Sequence, residues 1–416
     1  MGKTASFGSH ETNDAGRSTA TQFDALIAPI DRATFVNEYF NKTMLHLPGE
    51  EGRFDHLLDW QDIDHVLEYN RLEPPRLRLT RAGKVIDRTL YTHERRGGRD
   101  IDAGATTINK LCGSGMKATM FAYDSIKAGT NDIVVSGGME SMTMAPYLLP
   151  KARGGYRMGH AQMLDHMFFD GLQNPYDGNM MGNFAEQCAD KYSYSREAQD
   201  AFSAESVKRA MHAIESGAFE NEIAAVTVKT RKDSIEMTVD EEPAKCDINK
   251  IPTLRPAFRR ENGTVTAANA SKISDGASMT LLASGAFVEA NDITPLAKVV
   301  GHHQYAHAPE WFTTAPVTAI DELLKKVGWT VDEVDLFEIN EAFAVVTMAA
   351  MDELNIPHDK VNVNGGATAL GHPIGASGNR ILVPLVHALQ QRGLKKGVAS
   401  LCIGGGEATA IAIELV

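Results

Sequence analysis

The order strand, glycine-rich turn, helix, strand, double glycine occurs twice in this sequence, and few folds can satisfy it. In the first copy, Thr106–Ile108 reads as the end of a strand and Cys112-Gly113-Ser114-Gly115 as the turn. A helix pattern follows from Met116 to Lys127, stopped by Gly129, and Ile133–Ser136 is a short buried strand ending in Gly137-Gly138. In the second copy, Lys360–Val363 is the strand, Gly365–Gly378 the glycine-rich loop and Arg380–Gln391 the helix, stopped by Gly393. Val398–Ile403 is the closing strand, ending in Gly404-Gly405-Gly406. Two such units predict a duplicated α/β fold. Parallel strands with crossover helices present functional groups at strand C-terminal ends and helix N-termini, so the glycine turns are where chemistry is expected.

Between the copies, Glu140–Phe258 carries amphipathic helix patterns at Ala185–Tyr192 and Arg196–Glu215 and a Met- and His-rich stretch, Met158–Met181. This reads as a long insertion over one end of the first sheet, either building a binding site or packing as a helical subdomain. The first hundred residues look different. Met1–Thr21 is polar and lacks an apolar core, which predicts a disordered tail and argues against secretion. His93–Asp102 is a polar junction.

Composition excludes several function classes. With 41 Lys+Arg against 54 Asp+Glu in 416 residues, the net charge of −13 argues against non-specific nucleic-acid binding. The longest apolar stretch, around Ala342–Met351, is too short to span a bilayer. Four cysteines, Cys112, Cys188, Cys246 and Cys402, form no C-x-x-C pair, so a disulfide framework or zinc site is disfavoured and single thiols become candidates for chemistry. A cytoplasmic protein is expected. His302, His303 and His307 have no carboxylate or cysteine at ligand spacing, so no metal is expected. Gly404–Gly406 ends a strand without a G-x-G-x-x-G and is no dinucleotide fingerprint; no Walker-type loop occurs, and Glu241-Glu242 reads as a solvated face.

Four residues stand where chemistry is expected. Cys112 precedes a helix between glycines, whose open amides and the helix N-terminus would stabilise a thiolate and lower its pKa; the bland alternative is a core cysteine. His372, in Gly371-His372-Pro373-Ile374-Gly375-Ala376-Ser377-Gly378, is placed to accept a proton from a thiol or a carbon, or is a solvated loop histidine. Cys402 ends the last strand of the repeat beside glycines whose N–H groups suit an oxyanion. Asn340, after the Val334–Ile339 strand pattern, orients a water or oxyanion, or caps the next helix.

At these residues the chain is recognisable. Thr107-Ile108-Asn109-Lys110-Leu111-Cys112-Gly113-Ser114-Gly115 resembles the nucleophile segment of thiolases, and Gly137-Gly138-Met139-Glu140-Ser141-Met142 resembles their next signature. Asn340-Glu341-Ala342-Phe343-Ala344, the Gly371–Gly378 run and Cys402-Ile403-Gly404-Gly405-Gly406 are similar to the remaining three, in family order from about Ala105 to Val416. Tyr156-Arg157-Met158-Gly159-His160 and Asp165-His166-Met167 look most like the bacterial acetyl-CoA acetyltransferases of that family.

The resemblance implies a five-layered αβαβα fold and a ping-pong acyl transfer in fatty acid metabolism between acetyl-CoA, acetoacetyl-CoA and CoA, which are substrates rather than cofactors. It implies Cys112 as nucleophile, His372 and Cys402 as proton acceptors, Asn340 as holder of a water, and the N–H groups of Cys112 and Gly404 as an oxyanion hole. Ser271, Leu172, Met181, Phe258, Ala267, Ala342 and Phe343 are the CoA contacts it carries over. Homodimers or homotetramers are implied as well. Lys272 follows Ser271 where a glycine is usual, and Met180 stands where some members have histidine.

The N-terminus departs from this pattern. No Arg-Thr-Pro-type opening or strand–helix–strand–helix unit precedes the nucleophile segment. Residues 24–102, with Phe35-Val36-Asn37-Glu38-Tyr39-Phe40 and Leu72-Glu73-Pro74-Pro75-Arg76-Leu77-Arg78-Leu79, instead resemble the start of JmjC-like cupin proteins, without an H-x-D iron motif. The expected organisation is therefore a non-thiolase segment at 1–103, a truncated thiolase N-terminal domain at 104–292 and a C-terminal domain at 293–416. Missing first strands would leave exposed edges and an uncovered apolar face on the first sheet.

Overall fold

The computed structural model describes residues 104–229 and 233–416, with Thr34 and a two-residue antiparallel strand pair, Thr80–Arg81 and Lys84–Val85. The tail Met1–Thr21, the junction His93–Asp102 and nearly all of the cupin-like stretch lie outside the described residues. The chain divides into two units, Met1–Thr107 and Ile108–Val416, and the elements below belong to the second. In chain order they are α1 (Ser114–Lys127), β1 (Ile133–Ser141), α2 (Met181–Tyr192), α3 (Arg196–Glu215), β2 (Asp275–Ala283), β3 (Ala297–Ala306), α4 (Ala315–Val327), β4 (Leu336–Ile339), α5 (Ala344–Leu354), α6 (Ile374–Arg380), α7 (Leu382–Arg392), β5 (Lys396–Ile403) and β6 (Glu407–Leu415).

Local chemistry sets the helix ends. Ser195 caps α3 by accepting from the Ala198 N–H, and Pro316 opens α4 while Gly328, at φ +72, closes it. Gly393, at φ +66, ends α7 in the same way. Between β5 and β6 the chain reverses through Gly405 and Gly406, both left-handed; a Cβ on Gly406 would stand 2.4 Å from the His307 carbonyl oxygen.

The larger sheet has the order β4-β5-β6-β3. Only β4 and β5 run parallel; β6 is antiparallel to both of its neighbours. Side chains alternate across it, and both faces are apolar. Phe337, Ile339, Val398, Ala408, Ala410 and Ala412 pack against α4 and α5. Leu336, Ala399, Leu401, Ile411 and Ile413 face Met116 and Met120 of α1 and Leu382, Leu385 and Leu389 of α7. A large side chain buried this way contributes roughly 1.5–3 kcal/mol.

Helices α1 and α6 also touch the second sheet, a two-stranded antiparallel pair in which Val135 faces Leu281 and Met139 faces Ala277. A buried polar network joins it to the helices. The Thr119 hydroxyl meets that of Ser136 at 3.1 Å, and the Asn379 amide donates to the hydroxyls of Thr119 and Thr280 at 3.0 Å each. The Ser278 hydroxyl donates to Asn379 Oδ1 at 2.7 Å. Counted outward, the layers are helices, large sheet, helices, small sheet. The outer face of the small sheet carries Ile133, Val135, Met139, Met279 and Leu281, all exposed, with Val135 at 60% and Met279 at 67%. Among the described residues no helix or strand packs on this face.

Three expectations need correction. Residues 104–110 are not a strand, because no neighbouring strand among the described residues pairs with them. The Lys360–Val363 strand reduces to one bridge, Phe337 with Val361, since Asn362 turns left-handed at φ 48 and takes the chain off the sheet. Gly137-Gly138 do not end β1, which runs on to Ser141; their missing side chains let Ser278 and Gly375 backbone approach instead.

Candidate active site

Cys112 lies in a one-turn helix, Leu111–Gly113, immediately before α1. Leu111 has φ 48, a left-handed conformation costly for a branched residue, and its N–H is held by Asn109 Oδ1 at 2.9 Å. A Cβ on Gly113 would meet Ile403 Cδ1 at 2.4 Å, so glycine lets the nucleophile turn lie against the end of β5. That contact brings Cys112 next to the glycine run after Cys402. The Gly404 amide lies near enough to the Cys112 sulfur to favour its thiolate, and the Cys112 and Cys402 thiols lie close enough to oppose each other's ionisation.

His372 comes from the loop before α6. Its N–H donates to the Lys272 carbonyl at 3.0 Å, and the Gly375 N–H donates to Glu140 Oε2 of β1 at 3.0 Å, tying the loop to both sides of the small sheet. A Cβ on Gly138 would fall 2.0 Å from the Gly375 oxygen, a contact only glycine permits. His372 is buried; its Nδ1 lies 2.5 Å from Ser377 Oγ and 3.5 Å from Asn340 Nδ2. Nε2 has no partner, and neither does Asn340 Oδ1. Two unpaired buried polar atoms on the same histidine–asparagine pair are what a site awaiting a water or substrate oxygen presents.

Burial dominates the electrostatics. It pushes the Cys112 thiol up to about 11, against the Gly404 amide, which favours the thiolate; the Glu140 charge acts in the same direction as burial. This reverses the expectation that the helix N-terminus would lower it. Cys112 sits just before α1, and the amides of Gly404 and of Cys112 itself, which favour the thiolate, are outweighed by burial. Burial also raises Cys402 well above its ordinary range, helped by Cys112, and holds His372 down at about 4, with the Arg380 charge adding to it. At neutral pH the site therefore holds two thiols and a neutral imidazole.

Asn340 follows β4, its N–H donating to the Ser400 carbonyl of β5 at 3.0 Å. Glu341 beside it is buried and accepts from Ser206 Oγ at 2.8 Å, Asn362 Nδ2 at 2.9 Å and Thr368 Oγ1 at 2.6 Å. Asn362 also holds Ile339 through both its N–H and its carbonyl. Sequence reasoning overlooked Glu341, Asn362, Glu140 and Ser377. The available signal was a pair of acids, Glu338 and Glu341, inside the otherwise largely apolar run Leu336–Ala350.

The remaining expected residues gather beside this cleft. The Ser271 N–H donates to the Ala342 carbonyl at 3.0 Å, and Ala270 bridges Phe343. The Phe258 ring packs edge-on to Phe343, 6.1 Å between centroids, and Met181 lies in the same cluster with Cys402. Met181 Sδ lies 3.4 Å from where a Cβ on Gly404 would stand. The exposed Ala267 accepts from the Lys272 ammonium through its carbonyl at 2.5 Å. Leu172 ends the turn Phe168–Leu172, whose Gly171 lies against Ile374 after the His372 loop.

The model of the thiolase N-terminal domain matches residues 82–286 and that of the thiolase C-terminal domain residues 293–415. The chain belongs to the thiolase family. Acetyl-CoA acetyltransferases from Saccharomyces pastorianus and Chromobacterium violaceum are 47% and 48% identical to this thiolase over 313 and 323 residues. Those alignments cover 74% and 77% of this chain and 79% and 82% of the relatives. The crystal structure of the Bacillus anthracis acetyl-CoA acetyltransferase matches at TM-score 0.72 and 41% identity, over 74% of this chain and 78% of that one. Ascaris suum Acat5 thiolase, solved in complex with coenzyme A, matches at TM-score 0.70 and 43% identity with the same coverage.

Among the described residues, no group of three or more His, Cys, Asp or Glu is arranged to hold a metal ion. His302 Nε2 bonds Asp124 at 2.8 Å, and His307 Nε2 the Trp311 carbonyl at 2.6 Å. No helix among them is long and apolar enough to cross a membrane.

Proposed function

We propose that this thiolase joins two acetyl-CoA molecules into acetoacetyl-CoA and CoA, and catalyses the reverse thiolysis, through an acyl-cysteine at Cys112. In the first half-reaction the Cys112 proton passes to His372 Nε2 as sulfur attacks the thioester carbonyl, and the same proton leaves with the CoA thiol. In the second, the Cys402 proton passes to His372 and the Cys402 thiolate takes a proton from the α-carbon of acetyl-CoA. The carbanion attacks the acyl-Cys112 carbonyl, a carbon–carbon bond forms as the carbon–sulfur bond breaks, and the departing Cys112 thiolate takes the proton back from His372. The N–H groups of Cys112 and Gly404 hold the tetrahedral oxyanion, while Asn340 and His372 hold a water against the enolate oxygen. Ser271, Leu172, Met181, Phe258, Ala267, Ala342 and Phe343 line the CoA path.

What supports this reading is a pair of thiols, Cys112 partly buried and Cys402 buried, close enough to oppose each other's ionisation, together with the buried His372 and Asn340, each carrying a polar atom without a partner. A neutral imidazole beside a neutral thiol supplies a base without a standing thiolate, so ionisation happens only as the thioester is attacked. We further propose a cytoplasmic homodimer or homotetramer acting in fatty acid metabolism. The domain organisation is an N-terminal segment of cupin-like resemblance without oxygenase activity, then the two thiolase domains. The boundary is kept at 103/104, although the match to the thiolase N-terminal domain starts at residue 82, inside the N-terminal segment.

Acetoacetyl-CoA thiolysis by wild type and Cys112→Ala, with circular dichroism and size exclusion on the same samples, tests the proposal. Activity lost in the variant supports it. A folded, inactive wild type overturns it and favours a thiolase scaffold without catalysis.

A further inference from the structure

The base role of His372 needs a bare Nε2, and nothing among the residues assigned so far fixes which ring nitrogen carries the proton. Ser377 does. Its hydroxyl has one hydrogen, and this is donated to the Pro373 carbonyl at 2.9 Å, a helical back-bond within α6. Toward His372 Nδ1, 2.5 Å away, the same oxygen can then only accept. With the Ser377 hydroxyl donated to Pro373, Nδ1 carries the hydrogen, and Nε2, which has no partner, is left with the lone pair. The opposite tautomer would break the Pro373 bond and leave a buried Nε2–H without an acceptor. The Asn340 amide, at 3.5 Å from Nδ1, is too distant to set the tautomer. Ser377 is fully buried on α6, and His372 N–H is pinned by Lys272, so neither partner can swing away to satisfy itself elsewhere.

We infer that Ser377 is a positioning residue that locks His372 in the Nδ1–H tautomer and so keeps Nε2 ready to take the Cys112 proton. This rests on the acyltransferase reading for its consequence, though not for its geometry. The geometry is tested on the full chain by nitrogen NMR of labelled histidine in wild type, assigned with His372→Asn. His372 resonating with Nδ1 protonated and Nε2 bare supports the inference, and the opposite pattern overturns it whatever the enzyme does.

The consequence is tested with Ser377→Ala and Ser377→Thr. Ser377→Ala is expected to lower kcat of thiolysis about 10- to 100-fold with KM little changed, and to slow Cys112 alkylation by iodoacetamide at pH 7–8 similarly. Ser377→Thr, which keeps the hydroxyl, should restore the Nδ1–H signal and most of kcat. A Ser377→Ala enzyme with a lower Tm but unchanged kcat and pH profile would mean a packing role and sink the inference. Absence of Cys112-dependent thiolysis in wild type would sink the functional reading alone, leaving the tautomer measurement to decide this one.

Discussion

The two sheets of this thiolase are built from similar apolar sequence yet end in opposite environments. In the large sheet, Phe337, Leu401 and Ile411 are completely buried, because helices cover both faces. In the small sheet, β1 and β2 bury one face on α1 and α6 and leave Val135, Met139, Met279 and Leu281 in solvent. The cleft sits on the boundary between them, and the partly uncovered sheet contributes to it through backbone and polar groups: Glu140, Gly138 and the Thr119–Ser136–Thr280–Asn379 network. Catalytic geometry can thus be held by close backbone approach and buried hydrogen bonds where apolar coverage is thin.

The largest test of this contrast is Phe337→Ala, which should destabilise the protein by about 3–5 kcal/mol in urea unfolding through the cavity it leaves. A cost below about 1 kcal/mol would mean that the large sheet is not the stabilising half. Gly138→Ala probes the small sheet's part in catalysis. Its new methyl would overlap the Gly375 carbonyl and shift the His372 loop, so kcat should fall by about 100-fold while secondary structure persists. Retained activity would show that β1 does not position the loop.

The cleft gives a pH signature of its own. His372 titrates near 4 when folded and near 6.5 when unfolded, so the unfolded chain binds more protons in that interval and stability falls as pH drops from 6.5 to 4. Cys112 titrates near 11 folded and near 9.0 unfolded, so stability falls again as pH rises from 9 to 11. His372→Asn should flatten the acid limb and Cys112→Ala the alkaline one in unfolding measured across pH. The smallest effect is expected on the outer face of β1 and β2. Val135→Thr, Met279→Thr and Leu281→Thr should each change stability by less than about 0.5 kcal/mol while reducing binding of an apolar dye such as ANS. A cost near that of Phe337→Ala would mean that this face is covered in solution.

Much of the site was legible because its residues carry local signals. Cys112 and Cys402 stand at glycine turns, His372 in a glycine loop and Asn340 at a strand end, and each of those positions needs small neighbours or an open backbone. Helix α3 was read with its observed ends, since Ser195 supplies a cap and Gly217 follows the last turn. Strand limits were read less well. Whether 104–110 or Lys360–Val363 becomes a strand depends on a partner elsewhere in the chain, and no periodicity within the segment reports that partner.

The sequence alone determined the duplicated α/β pattern and the chemical types at the candidate site. Only the tertiary structure decided the protonation states, since the upward shift of Cys112 and the downward shift of His372 come mainly from burial. It also decided that Glu140 holds the Gly375 amide, Glu341 the Thr368 hydroxyl and Ser377 the His372 ring, because hydrogen-bond distance is a property of packing. Local sequence carries backbone preference; desolvation and alignment exist only once distant segments have met.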